Sequence, residues 1–366
     1  MEKRLVLFIF FIGSFLFSQN LVDRFRVPVT IKTKISFGYD SNFLRLSEKD
    51  MDSGNAYQHG IISTIDSPII KPSVQLIYSP ILFENHMVNF ISSFSYSHYN
   101  EILKKSYFIS SFSLEFKLKS YSWIKFGMRD VPKFYLRNFI DRDGLSNDYQ
   151  QCTFSSQKFF GSYSFPILNL KRTWVRTKYE HVNEFYNSYF TEFDLKKDMV
   201  QIELNHKIKN NNHVKIAIAH GRADNFTFNN SSLVSTYIDR SYVFENYRLS
   251  FNIKKHGCKM INKFGFSNFL QIRKYDLLLA GHDKLYGLNW KHVVDEWKYY
   301  LDGKTNFWID WNFLNDVNVK TSYQYRWRKT ENENFGNLEW IVDSKEYDKH
   351  EIWLELSFQF ITDFLY

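Results

Sequence analysis

The residues of this 366-residue chain best equipped for chemistry are its cations, and their spacing points to electrostatics. Lys32 and Lys34 are two apart, as are Arg326 and Arg328, and Lys320 lies six before Arg326. Each set therefore shares one side of an extended strand. Basic side chains along a water-filled passage would favour anions. Arg248, Lys254 and Lys263 occupy similar mixed faces. The opposing reading pairs these cations with Glu203, Glu351 and Glu355, so that ion pairs fill the interior. The sequence leaves both open.

Covalent or metal chemistry finds little support. There is no H-E-x-x-H helix, G-x-S-x-G elbow, phosphate loop or G-x-G-x-x-G run after a strand. His220 and Asp224 share a strand face and could act as an acid–base pair. That face continues Val214, Ile216 and Ile218, however, and should look outward. His282-Asp283 reads as a loop pair, and the acidic stretch with Glu48, Asp50 and Asp52 as a solvated loop. Neither an enzyme, a metal site nor a cofactor is expected. Cys152 and Cys258 are too few for a disulfide framework and are expected near opposite ends of their strands, as two thiols.

The elements that must position the cations are strands. Val27 to Asp40 alternates almost without a break: Val29, Ile31, Thr33, Ile35, Phe37 and Tyr39 oppose Thr30, Lys32, Lys34, Ser36 and Asp40. Val317–Lys329 is as regular, with Val317, Val319, Tyr323, Tyr325 and Trp327 against Lys320, Ser322, Gln324, Arg326 and Arg328. From His350 to Tyr366, Ile352, Leu354, Leu356, Phe358, Phe360, Phe364 and Tyr366 share one face, with Glu351, Glu355, Ser357 and Gln359 on the other. Such strands cross a bilayer in about 9–11 tilted residues. A lysine facing lipid at mid-membrane costs roughly 2–4 kcal/mol, so Lys32 and Lys34 belong inside.

Composition agrees. The chain is 44% hydrophobic and 19% aromatic, yet its mean hydropathy is −0.39. A barrel reconciles these values, because each strand needs only half its residues apolar. Net charge is +8. The aromatic residues lie opposite the cations along each strand, not beside them on a shared platform, which argues against nucleic-acid binding. Lys3 and Arg4 before the apolar run Leu5–Phe17, then Ser18, read as a signal peptide over residues 1–18. No cysteine there would carry a lipid anchor. Residues 19–366 are expected to form one domain without internal repeats.

The terminal amphipathic strand ending on an aromatic residue resembles the C-terminal signature of bacterial outer-membrane β-barrels. The run Gly38-Tyr39-Asp40-Ser41-Asn42 is similar to the first-strand exit of porin-like barrel proteins. The resemblance implies an outer-membrane location and contact with lipids and lipopolysaccharide. It also implies insertion by barrel assembly machinery that reads Phe358, Phe360, Phe364 and Tyr366. Short and long connections alternate along the chain. Together these features predict an all-β, closed, antiparallel transmembrane barrel of about 16 strands, or 14 if Asp302-Gly303 is not a hairpin. Long external loops are expected over 41–71 and 329–348, with a further polar loop over 131–148. The leading functional expectation is a porin-like channel for small polar solutes that favours anions, with Lys32, Lys34, Lys320, Arg326 and Arg328 lining the lumen. The alternative is a closed structural or surface-interaction barrel. Many porin-type barrels are trimers, but no residue here identifies a subunit interface.

Overall fold

A computed structural model of the chain describes residues 25–52, 58–60, 64–82, 86–140, 148–208, 212–227, 241–254, 260–275, 299–314, 317–331 and 346–362. The alternating segments are strands. They are β1 (Val29–Asp40), β2 (Ser67–Tyr78), β3 (Ile81–Leu82), β4 (His86–Tyr99), β5 (Tyr107–Lys119), β6 (Ser122–Ile140), β7 (Tyr149–Pro166) and β8 (Thr173–Tyr186). There follow β9 (Leu195–Lys207), β10 (His213–Asn225), β11 (Tyr242–Lys254), β12 (Ile261–Tyr275), β13 (Tyr299–Leu314), β14 (Val317–Glu331) and β15 (Tyr347–Thr362). Every pairing is antiparallel, and each strand of the ring neighbours the next, with β2 paired to β4. β1 pairs with both β2 and β15, which closes the sheet into a barrel of 14 strands. The two-residue β3 pairs with β4 alone and stands outside the ring.

Closure leaves no open sheet edge, the condition for crossing lipid with strands. Ile35, Phe37, Val200, Ile202, Ile216, Ile218, Ile352 and Leu354 point outward, with Ile202 and Ile352 each 57% exposed. This apolar exterior is that of a transmembrane barrel. Connections at one end span 2 to 7 residues and at the other 7 to 26.

The count of 16 is corrected to 14. Asp302-Gly303 lies inside β13, where Asp302 faces Arg328 and Gln271, and Gly303 faces Trp327. A Cβ on Gly303 would collide with the Trp327 indole, so this glycine serves close packing and not a turn. Asp302 is held by two arginines. Tertiary contacts outweigh the turn preference of the dipeptide. The strand expected over Lys284–Val294 and the pair His282-Asp283 lie outside the described residues, as do residues 1–18 and Cys258.

Two expected loops are shorter than their polarity suggested. β6 runs on to Ile140, and its ladder with β7 slips between Val131 and Phe134, around Pro132. β2 begins at Ser67 despite Pro68 and Pro72. Its ladder with β4 lapses between Ile70 and Ser73, so the missing Pro72 N–H falls where no bond is made.

Candidate functional site

Period 2 places the even-numbered residues of β1, β13 and β14 and the odd-numbered residues of β15 inside the barrel. Cross-strand register then stacks them in rows. One row runs Lys71, Ser36, Glu355, Lys320, Asp310 and Lys263 from β2 around to β12. Three pairs nearer the end with the long connections, Lys349 faces Arg326 and Arg326 faces Lys304.

Lys71, Ser36, Glu355 and Lys320 of the first row, with Lys349, Arg326 and Lys304, line a cavity of about 580 Å³ on the side of β13–β15, β1 and β2. Nine Lys or Arg side chains border it, against two glutamates, Glu351 and Glu355. Lys34 Nζ donates to Glu355 at 3.1 Å. Lys349 is bound by Asp40 and, at 2.8 Å, by Glu351. Lys320 Nζ sits 5.7 Å from the Trp308 ring centroid. Among the described residues, no carboxylate lies within 4 Å of Lys71, Arg129, Lys304 or Arg326.

The facing side, β5 to β12, borders a second cavity of about 550 Å³ with six cations and three glutamates. Here each carboxylate is paired, and two of the three are shared between cations. Glu180 accepts from Lys158 at 3.1 Å and from Lys178. Glu203 lies 3.4 Å from Arg176 and 3.5 Å from Lys215, and it accepts from Asn205 Nδ2 at 2.9 Å. Lys125 stands 3.6 Å from Glu115.

Residues 41–52 of the first long connection do not stay in solvent. After Asp40, Asn42 folds the chain on itself: its Oδ1 accepts from Leu46 N at 2.8 Å, and its Nδ2 donates to the Leu46 carbonyl at 2.9 Å. A further bond from Nδ2 reaches the Asp348 carbonyl at 3.1 Å. Phe43 and Leu46 are thereby buried with Ile69, Tyr99, Ile102 and Tyr135. Phe43 also borders the larger cavity. The short helix Glu48–Asp52 begins with a reciprocal cap, Asp50 N to Ser47 Oγ at 3.0 Å and Ser47 N to Asp50 Oδ2 at 3.3 Å. Asp50 then reaches Arg137 of β6 at 2.9 Å and His59 at 3.5 Å. A solvated loop was expected over 41–71; residues 41–52 instead span the barrel mouth from β1 to β6, because Phe43 and Leu46 have an apolar cluster to enter. Of the other expected external loop, residues 332–345 lie outside the described residues.

Two groups in this mouth have shifted protonation. Burial pushes the Lys105 ammonium well below the usual lysine range, with Arg45 and Lys349 adding repulsion. It is held by the carbonyls of Tyr135 at 2.7 Å and Leu136 at 3.0 Å, and lies 4.5 Å from the Phe134 ring centroid. Burial, helped by Arg137, lowers His59.

The sequence-derived cations divide accordingly. Lys34, Lys320 and Arg326 line the larger cavity. Lys32 shares the inward side of β1 and is exposed. Arg328 faces inward but is neutralised by Asp302 at 2.7 Å, which also holds Arg273 at 2.9 Å. Phe358 and Phe360 lie on the outward face of β15; Phe364 and Tyr366 fall outside the described residues. His220 points outward, 4.0 Å from Glu245, and Asp224 binds its neighbour Arg222 at 2.5 Å. Cys152 is buried in β7. Sequence reasoning missed Lys71, Lys304, Lys349, Arg45 and Lys105. Lys71 hid between two prolines and Lys304 beside Asp302-Gly303. Arg45 and Lys105 lie in connections, where period 2 carries no information.

No family model and no curated protein sequence matches the chain. Among solved structures, the chain is similar to an anion-selective porin from Comamonas acidovorans at 6% identity and a TM-score of 0.40, covering 91% of this chain and 99% of that one. It is similar to the outer membrane channel DcaP of Acinetobacter baumannii at 8% identity and 0.45, covering 91% and 97%. An outer membrane channel from Pseudomonas putida F1 aligns at 10% identity and 0.40, covering 91% and 96%. Such identities and scores assign this chain no activity.

Proposed function

We propose that this barrel is an outer-membrane channel that passes small polar solutes and prefers anions. The observation that carries the reading is the set of lumen cations with no carboxylate in reach, Lys71, Arg129, Lys304 and Arg326. An interior built only for stability would neutralise them, as Glu180 and Glu203 do for the cations of β7 to β10. Their field, focused by low-dielectric barrel walls, raises the local concentration of anions. In this reading Lys32, Lys34, Lys320, Arg326 and Arg328 line the path, residues 1–18 direct export, and no covalent step occurs. The outward Phe358 and Phe360 belong to the face that assembly machinery would read, together with Phe364 and Tyr366. The apolar exterior supports contact with lipid, and the end with long connections would meet lipopolysaccharide.

Single-channel recording of the folded protein under a salt gradient tests this. Open steps with an anion-selective reversal potential are expected, with selectivity reversed by Lys320→Glu plus Arg326→Glu. One observation favours a second reading: residues 41–52 pack into the mouth around Phe43 and Leu46. A folded barrel that never conducts would make that packing a closure and the protein a surface-interaction barrel.

A further inference from the structure

Lys349, Arg326 and Lys304 stand directly opposite one another on β15, β14 and β13, and Arg248 follows on β11 after Phe269. Facing residues on paired strands have Cα atoms about 4.5–5.5 Å apart, close enough for like charges to repel. Lys349 escapes this through Asp40 and Glu351. Arg248 lies over the Phe269 ring, 5.3 Å from its centroid, which turns it toward the Lys304 side of the row. Arg326 and Lys304 have neither a carboxylate nor an aromatic face among the described residues. The row also bridges the two cavities, since Lys304 and Arg326 border one, and Arg248 and Phe269 border the other.

We propose that Arg326, Lys304 and Arg248 form a saturable binding site for an anion carrying two or more negative charges on oxygen, such as a phosphate ester or polycarboxylate. The proposal rests on the channel reading and adds a stopping point within it. An arginine fork grips two oxygens of one oxyanion, and the adjacent ammonium takes a third. A monovalent anion relieves only part of the repulsion, so valence should set affinity. The Lys71–Ser36–Glu355–Lys320 row lies about 20 Å along the strands, six residues at roughly 3.3 Å each. It contains its own glutamate and is the weaker station.

The test uses the folded full-length barrel at fixed ionic strength, with inorganic pyrophosphate, citrate and acetate as probes. Pyrophosphate should bind by isothermal titration calorimetry at about one site per barrel, and at least about tenfold more tightly than acetate. Citrate binding as well as pyrophosphate marks a general polyanion site; much weaker citrate narrows the ligand to phosphates. Arg326→Gln with Lys304→Gln should weaken pyrophosphate about tenfold or more, and Arg326→Lys, which keeps charge but loses the fork, should fall between. A gel-mobility shift between heated and unheated samples confirms that each variant is folded, and Lys304→Gln alone serves if the double variant is not. Pyrophosphate no tighter than acetate, or equally tight in the variants, overturns the site. Chloride conductance without saturable binding leaves the channel and removes the site. Binding in a barrel that never conducts does the reverse.

Discussion

The two walls of the lumen are built from the same residue types and arranged to opposite ends. On β7 to β10, each of Glu180 and Glu203 is set between two cations, so charge is balanced locally and the interior braces itself. On β13 to β15, β1 and β2, carboxylates are spent on Lys34, Lys349 and Arg328, and Lys71, Lys304 and Arg326 are left bare. A charge inside a barrel is tolerable in either form only because water enters, since full desolvation costs several kcal/mol per ion. The first wall uses its ions for cohesion. The second keeps them for a passing charge.

Breaking the balanced wall should have the largest effect. Glu203→Gln leaves Arg176 and Lys215 facing each other and should cost about 2–3 kcal/mol in urea unfolding of the folded barrel, less than a fully buried pair because both cations are part-exposed. A loss below about 0.5 kcal/mol would mean that this wall is not structural. Phe43→Ala probes the segment that joins the walls at the mouth. Removing a fully buried ring costs roughly 3 kcal/mol of local packing, so residues 41–52 should exchange amide hydrogens faster and single-channel conductance should rise. Unchanged conductance would place the narrowest point elsewhere.

The unbalanced wall predicts a different signature. Lys304→Gln should leave stability within about 0.5 kcal/mol of the parent, or raise it, because a repelled cation is removed. The anion-to-cation permeability ratio should nevertheless fall at least about twofold. Lost stability with unchanged selectivity would erase the contrast between the walls.

The smallest effect is that of pH. Burial lowers His59, so the unfolded segment binds the proton more readily than the docked one. Docking of residues 41–52 is therefore fully supported above the ordinary histidine value of about 6.5 and weakens as pH falls below it. Amide exchange of residues 41–52 at pH 7.5 and 5.5 reads this directly. His59→Gln should flatten the difference; a difference that survives assigns it to Asp50 or other groups.

The legible parts of this molecule were those where one periodicity decides. In Val317–Lys329 the inward and outward sets read from sequence are those of β14, and in His350–Thr362 they are those of β15. Where two signals conflicted, local chemistry misled. Asp302-Gly303 carries a turn signature but sits in β13, because Trp327 covers the glycine and Arg273 and Arg328 hold the aspartate. Pro68, Pro72 and Pro132 hid strand length, since only the ladder shows on which side a missing N–H is harmless.

The sequence by itself determined the closed antiparallel architecture and the inward placement of Lys34, Lys320 and Arg326, because alternation and the cost of a lysine in lipid leave those side chains no other side. Tertiary structure alone decided which cations are neutralised. Arg328 meets Asp302, 26 residues away, whereas Arg326, two residues before it, meets Lys304 and Lys349. Period 2 fixes a side chain's face, but strand register fixes its neighbours, and register is a property of the closed sheet. The same holds for the mouth: nothing local to Phe43 says that a cluster from β2, β4 and β6 awaits it.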